Sequence, residues 1–260
     1  MLLSIIIKLL EDWCPLDNAD EFDNVGLLVG DVESKINKAI ISLDVTDEII
    51  EECISTKANL IITFHPLFIY NPKTNLIDQR INNYILKCLK NDINVYCIHT
   101  NLDNNFKGTS FQLGKLLKLK HQEILVSNED NNDIGMGSIG LLTESMNENE
   151  FLMLIKEKFN LKFIRHSKLL QKKIKKIAVL SGSGSFAINY AVSKSADCFI
   201  SSDFKYHDFF IPDKKILIID IGHYESERHI KQTILNYLNK KIPKFACTIA
   251  KSKTNPVNYF

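Results

Sequence analysis

The sequence predicts an α/β protein of two similar domains with mixed, mostly parallel sheets, and three observations carry that prediction. Short apolar, β-branched runs alternate with helix-length segments along the chain. The alternation then restarts. With an offset of 138 positions, Lys38 meets Lys176, Ile41 meets Val179, Ala58 meets Ala196, and Leu60-Ile61-Ile62 meets Cys198-Phe199-Ile200 without a gap. Several of the apolar runs also end in histidine or aspartate, at the strand ends where open α/β sheets collect ligands.

Taken in order, the chain opens on MLLSIIIKLLEDW. This run is too short to span a bilayer and reads as a helix with Leu2, Ile5, Ile6, Leu9 and Leu10 on one face. A polar loop follows, and Asn24-Val25-Gly26 begins a short apolar run ended by Gly30-Asp31. Ala39 to Leu43 is an expected strand, and Thr46 an expected cap for a helix from Asp47 to about Ser55. The strand Leu60 to Phe64 stops at His65-Pro66, because proline cannot extend the ladder. Asn71 to Asp78 reads as loop, Gln79 to Lys90 as helix, and Ile93 to Ile98 as a strand running into His99-Thr100-Asn101-Leu102-Asp103. Thr109 is expected to cap a helix to about Leu117. The polar stretch Ser127 to Gly135 marks an expected boundary, giving one domain of 1–127 plus 222–260 and a second of 128–221. Within the second, strands are expected near Ser138 to Leu142 and Leu161 to Arg165, with a helix near Glu148 to Phe159. The strand, glycine turn, helix and strand of the restart come next. The chain closes with a strand at Ile216 to Ile219, a helix from about His223 to Leu238 and a strand at Phe245 to Ile249.

Composition narrows the partners. The 260 residues are 45% hydrophobic and 24% charged, as in ordinary soluble domains. A formal net charge of +1 gives no long-range attraction to nucleic acid. The six cysteines form no CxxC pair, and most lie inside apolar runs. That usage, with no leader-like start, predicts a reduced, cytoplasmic protein.

Four groups of residues carry chemistry. His65, at a strand end, is a candidate metal ligand or acid–base group, or a satisfied structural histidine. His223 and Glu227, spaced i, i+4, share one helix face and suit either a shared cation or a surface pair. His99 is a candidate ligand, proton shuttle or hydrogen-bonding partner of a ligand, and Asp103 either a cation ligand or a turn or cap residue. Asp203, Lys205, Tyr206, His207 and Asp208 form a polar strand end that reads as substrate contact or solvated loop. The glycine turn Ser181 to Ser185 offers backbone amides to an anion, but falls short of a full phosphate-binding pattern and fits a tight strand-to-helix connection.

DNVGLLVGD (Asp23 to Asp31), SLDVT (Ser42 to Thr46), His65-Pro66, HTNLD (His99 to Asp103), GSG (Gly182 to Gly184), KYHD (Lys205 to Asp208) and GHYESE (Gly222 to Glu227) stand in that order. Together they resemble the GTP cyclohydrolase I type 2 family of dinuclear-metal, ring-forming proteins, in a short form without the mid-chain insertion of its longer members. The resemblance implies a metal cleft between two similar α/β domains, a homohexamer, and one or two divalent ions per chain. It implies metal ligands at His65, Asp103, His223 and Glu227. Zinc, iron, manganese and nickel all suit such mixed ligands. The expected activity is metal-dependent hydrolysis of a nucleotide, with His99 or His207 moving protons. The alternative is a non-enzymatic metal-binding ring that serves as a partner-binding or regulatory assembly. One departure bears on both. The family has two adjacent histidines before the proline, where this chain has Phe64-His65.

Overall fold

The protein was analysed as a computed structural model that describes residues 1–68, 78–128, 131 and 133–260. The expected loop from Asn71, apart from Asp78 itself, lies outside the described residues. The chain divides into two compact units, Met1–Leu102 with Ile230–Asn258, and Asp103–His229 with Tyr259–Phe260. Both divisions fall elsewhere than at 127 and 222. The polar stretch expected to part the domains instead connects two antiparallel strands of the second unit, with Ser127 paired to Gly135.

The first unit begins with α1 (Leu3–Trp13), β1 (Gly26–Val29), β2 (Lys38–Ser42), α2 (Asp47–Thr56), β3 (Leu60–Thr63), α3 (Gln79–Lys90), β4 (Asn94–Cys97) and the short α4 (Thr100–Asp103), whose last residue opens the second unit. The second unit continues with α5 (Thr109–Leu116), β5 (Lys120–Ser127), β6 (Gly135–Asn147), α6 (Glu148–Lys158), β7 (Arg165–His166), β8 (Lys173–Ser183), α7 (Ile188–Ser193), β9 (Cys198–Ser202), β10 (Leu217–Asp220) and α8 (His223–Glu227). The chain then returns to the first unit with α9 (Ile230–Lys241) and β11 (Ala246–Ile249).

The first sheet has the order β1-β4-β3-β2-β11. Its strands pair in parallel except at β1, which runs antiparallel to β4. Ile40, Ile61 and Val95 from the strands pack with Ile49, Ile50, Cys53 and Cys88 of α2 and α3. The buried face of α1 is Leu3, Ile6 and Leu10, while Ile5 is half exposed. The expected face is therefore rotated: Leu3 replaces Leu2 and Ile5 as its first member, at i, i+3, i+7 spacing.

The second sheet, β5-β6-β8-β9-β10-β7, is mixed. Its centre β8-β9-β10 is parallel, with antiparallel strands outside it. Alternate residues of the central strands point to opposite faces. Ile177, Val179, Cys198 and Ile200 join Phe151 and Ile155 of α6 in one core. Ala178, Leu180, Phe199 and Ile218 join Ala187, Ile188 and Ala191 in another. A sheet covered on both faces explains the continuous apolar runs that announced its strands.

Four local expectations change. β5 was not anticipated, since its exposed residues interrupt the apolar pattern. Thr109 is the first residue of α5 rather than its cap, and Gly108 takes that place. The strand expected at Leu161 to Arg165 is reduced to Arg165–His166. The helix expected from His223 to Leu238 is broken into α8 and α9 at Arg228 and His229, whose side chains are tied to the carbonyls of Phe159 and Thr109.

Candidate functional site

Each unit carries one group of the predicted side chains, at the carboxyl ends of its parallel strands. In the first unit His65 follows β3 and His99 follows β4. Their rings meet edge to face, with centroids 5.5 Å apart. Phe64, fully buried, lies 5.3 Å from both rings. An aryl group thus stands against both imidazoles and offers no lone pair.

Both histidines are held through the same nitrogen. His65 Nδ1 lies 2.8 Å from Asp44 Oδ1, just beyond β2. His99 Nδ1 lies 2.9 Å from Asp23 Oδ2, in the loop before β1. Asp23 also accepts hydrogen bonds from the backbone and hydroxyl of Thr100, at 3.0 and 2.5 Å. Burial alone would raise the Asp23 carboxyl, but these hydrogen bonds and the imidazole charge outweigh it and hold it at about 2.

In the second unit the i, i+4 pair meets as its spacing predicts: His223 Nε2 lies 3.1 Å from Glu227 Oε2. Glu227 is only 3% exposed. The other nitrogen of His223, Nδ1, is 2.6 Å from Asp203 Oδ2, and Asp203 in turn accepts from the hydroxyl of Ser183. Burial works against charge on His223, yet hydrogen bonds and Coulombic attraction to Asp203 and Glu227 prevail, and its pKa is pushed up to about 10. Two carboxylates thus hold one imidazole from its two nitrogens; Nε2 and the facing Glu227 carboxylate are a pair of donors that a divalent cation would suit by displacing the Nε2 proton, while Asp203 stays on Nδ1.

The glycine turn has a steric explanation here. Gly182 has φ +76°, and a Cβ added there would lie 2.5 Å from Glu227 Oε1. The glycine gives the buried carboxylate room to approach the strand. The Gly182 amide donates to Ser226 Oγ, and the Ser181 amide to Ser110 Oγ, so these two amides already serve the fold.

Asp103 ends α4 and accepts from the hydroxyl of Thr109. His207 sits exposed on the 3-10 turn Tyr206–Phe210, with its ring against Tyr206 and Phe210. Sequence reading missed Asp23 and Asp44 and the room made by Gly182, and it singled out Asp203 as a substrate contact or solvated loop where the structure sets it on the His223 ring. Asking what each imidazole's second nitrogen would bond to could have found the aspartates, since all three lie in or beside the quoted segments.

Two α/β units, the first with two histidines and the second with one braced by carboxylates near its strand ends, define the class of protein. The Duf34/NIF3 (NGG1p interacting factor 3) family profile matches residues 1–256. A GTP cyclohydrolase 1 type 2 homolog from Clostridium perfringens is 38% identical over 230 residues, 87% of each chain. One from Campylobacter jejuni is 32% identical over the full length of both. Among solved structures, Staphylococcus aureus protein SA1388 superposes with a TM-score of 0.90 at 26% identity, covering 100% of this chain and 99% of that one. The chain belongs to the DUF34/NIF3 family.

Proposed function

We propose that this protein is a metal-dependent hydrolase directed at nucleotides, with a GTP cyclohydrolase-like reaction as its leading form. The observation that carries the reading is His223 held between Asp203 and Glu227, with Glu227 buried and its approach to the strand kept open by Gly182. The names of the relatives point the same way. In this reading His65, Asp103, His223 and Glu227 hold one or two divalent ions, with zinc, iron, manganese and nickel all compatible. A bound ion of this kind lowers the pKa of water toward neutrality and so supplies hydroxide. His99, braced by Asp23, or the exposed His207 would move protons. The cysteine thiols are free and five of the six are buried, which supports a reducing, cytoplasmic setting. Among the described residues no helix is long and apolar enough to cross a membrane. The assembly is a homohexamer in the same reading, by likeness to the family.

The test is to incubate metal-loaded protein with GTP and follow formate or pterin formation. Turnover above that of a His223→Ala control is expected, and turnover no greater than the control overturns this reaction.

Phe64 favours a second reading, a metal-binding ring that acts as a partner-binding or regulatory assembly. Its buried ring removes a nitrogen donor beside His65, and a weakened second metal position is tolerable where the ion is structural. Elemental analysis of the protein as isolated, beside a Phe64→His variant, separates the two. Two ions in the native chain favour hydrolysis, whereas one tightly held ion, or none, favours the ring.

A further inference from the structure

His65, His99 and His223 come from different strand ends, yet each presents Nδ1 to an aspartate, at 2.8, 2.9 and 2.6 Å. The aspartates are equally scattered: Asp44 follows β2, Asp23 precedes β1, and Asp203 follows β9. Two of them are themselves fixed, Asp23 by Thr100 and Asp203 by the Ser183 hydroxyl. A carboxylate on Nδ1 keeps the proton on that nitrogen and leaves Nε2 as the nitrogen a cation can take, in His223 by displacing the proton that Nε2 shares with Glu227. It also removes the alternative in which the ring turns over, a two-fold choice that an unbraced imidazole retains.

We propose that Asp44 and Asp203 are positioning residues: they fix the ring orientation and tautomer of His65 and His223, so that Nε2 of each is the nitrogen offered to a divalent cation. The proposal rests on the metal-binding reading above and adds two residues outside the four-ligand set. Asp23 does the same for His99. The histidine Nδ1 to aspartate contact follows the general construction in which a metal-bound imidazole donates its second N–H to a carboxylate.

The test uses the full-length protein and Asp44→Ala, Asp203→Ala, Asp44→Asn and Asp203→Asn. Asparagine keeps an oxygen that accepts from Nδ1–H, and alanine does not. Both aspartate side chains are partly exposed, 35% for Asp44 and 45% for Asp203, so folded variants are expected. Titration with Co²⁺, followed by its visible absorption, should show affinity falling about 10–100-fold in each alanine variant and largely recovering in each asparagine variant. Long-range ¹⁵N–¹H spectra of the metal-free proteins should lose the strongly hydrogen-bonded Nδ1 proton of the matching histidine only in the alanine variants. Equal Co²⁺ affinity in wild type and alanine variants overturns the positioning role and leaves the metal reading standing. A wild type that binds no Co²⁺ overturns the metal reading, and the imidazole spectra then decide the bracing alone. Ring signals unchanged by Asp203→Ala and Asp44→Ala overturn it, and signals lost on those substitutions support it.

Discussion

The parallel centres of the two units are built to one register and equipped with different chemistry. In the first, Ala39, Ile40 and Ile41 of β2 pair with Leu60, Ile61 and Ile62 of β3. In the second, Ile177, Ala178 and Val179 of β8 pair with Cys198, Phe199 and Ile200 of β9. The offset of 138 that relates the sequences carries each of these pairs onto its counterpart. It also carries Lys57, left-handed at φ 55° after α2, onto Ser195 at φ 54° after α7. Beyond these rungs the ladders part: the first continues with Ser42 opposite Thr63, whereas the second shifts register between Val179 and Ser183, so only the sequence offset relates the residues that follow. Asp44 falls on Gly182, and His65 falls on Asp203. The first unit sets a bracing carboxylate on one strand end and an imidazole on the next. The second leaves the first of those positions bare for Glu227 and puts the brace on the second, where it meets His223 from α8. Conserving a ladder thus leaves strand-end chemistry open to exchange, because ladder geometry depends on backbone pairing and the last side chain does not enter it.

The substitution that should break this comparison most strongly is Gly182→Ala. It adds a Cβ 2.5 Å from Glu227 Oε1 at a backbone with φ +76°. Backbone strain together with displacement of the buried carboxylate should cost about 2–3 kcal/mol. Thermal or urea unfolding should show the loss, whereas an unchanged midpoint would mean that the bare position has no steric purpose.

Asp23→Asn tests the brace in the first unit through pH. The native carboxyl titrates at about 2 against an ordinary 3.8. The unfolded chain therefore binds more protons between those values, and the contribution is complete above about pH 4 and lost as pH falls toward 2. At neutral pH it amounts to about 2 kcal/mol. The variant should lose that stability and show a shallower acid limb between about pH 4 and 2. An acid limb identical to wild type would remove the assigned role.

The smallest effect sharpens the register itself. Lys57→Gly and Ser195→Gly each relieve a left-handed residue while loosening the unfolded chain, so each should shift stability by less than about 1 kcal/mol. The two shifts should match. Opposite signs would show that the equal φ values do not reflect equal surroundings.

The restart of the pattern, the helix Gln79–Lys90 and the strand β3 stopping short of His65-Pro66 were legible because each depends on local periodicity or on proline. β5 was not, since its amphipathic ladder depends on a partner strand that the local sequence does not show. The unit boundary was misread for a related reason. A polar run marks a hairpin connection as readily as a linker, and only strand pairing separates the two. Among the predicted site residues, the His223–Glu227 contact followed from helix spacing. The aspartate braces did not, because each joins segments far apart in sequence, 76 residues between Asp23 and His99.

The same hairpin connection gives the fold a place to grow. Ser127 and Gly135 are paired across the ladder, so a foreign sequence spliced between them would leave and rejoin the protein one strand spacing apart. Closing a longer excursion there adds only a logarithmic entropic cost, about 0.6 kcal/mol for each doubling of its length. A whole extra module can therefore be accommodated between Ser127 and Gly135 without altering a rung of the sheet beneath it.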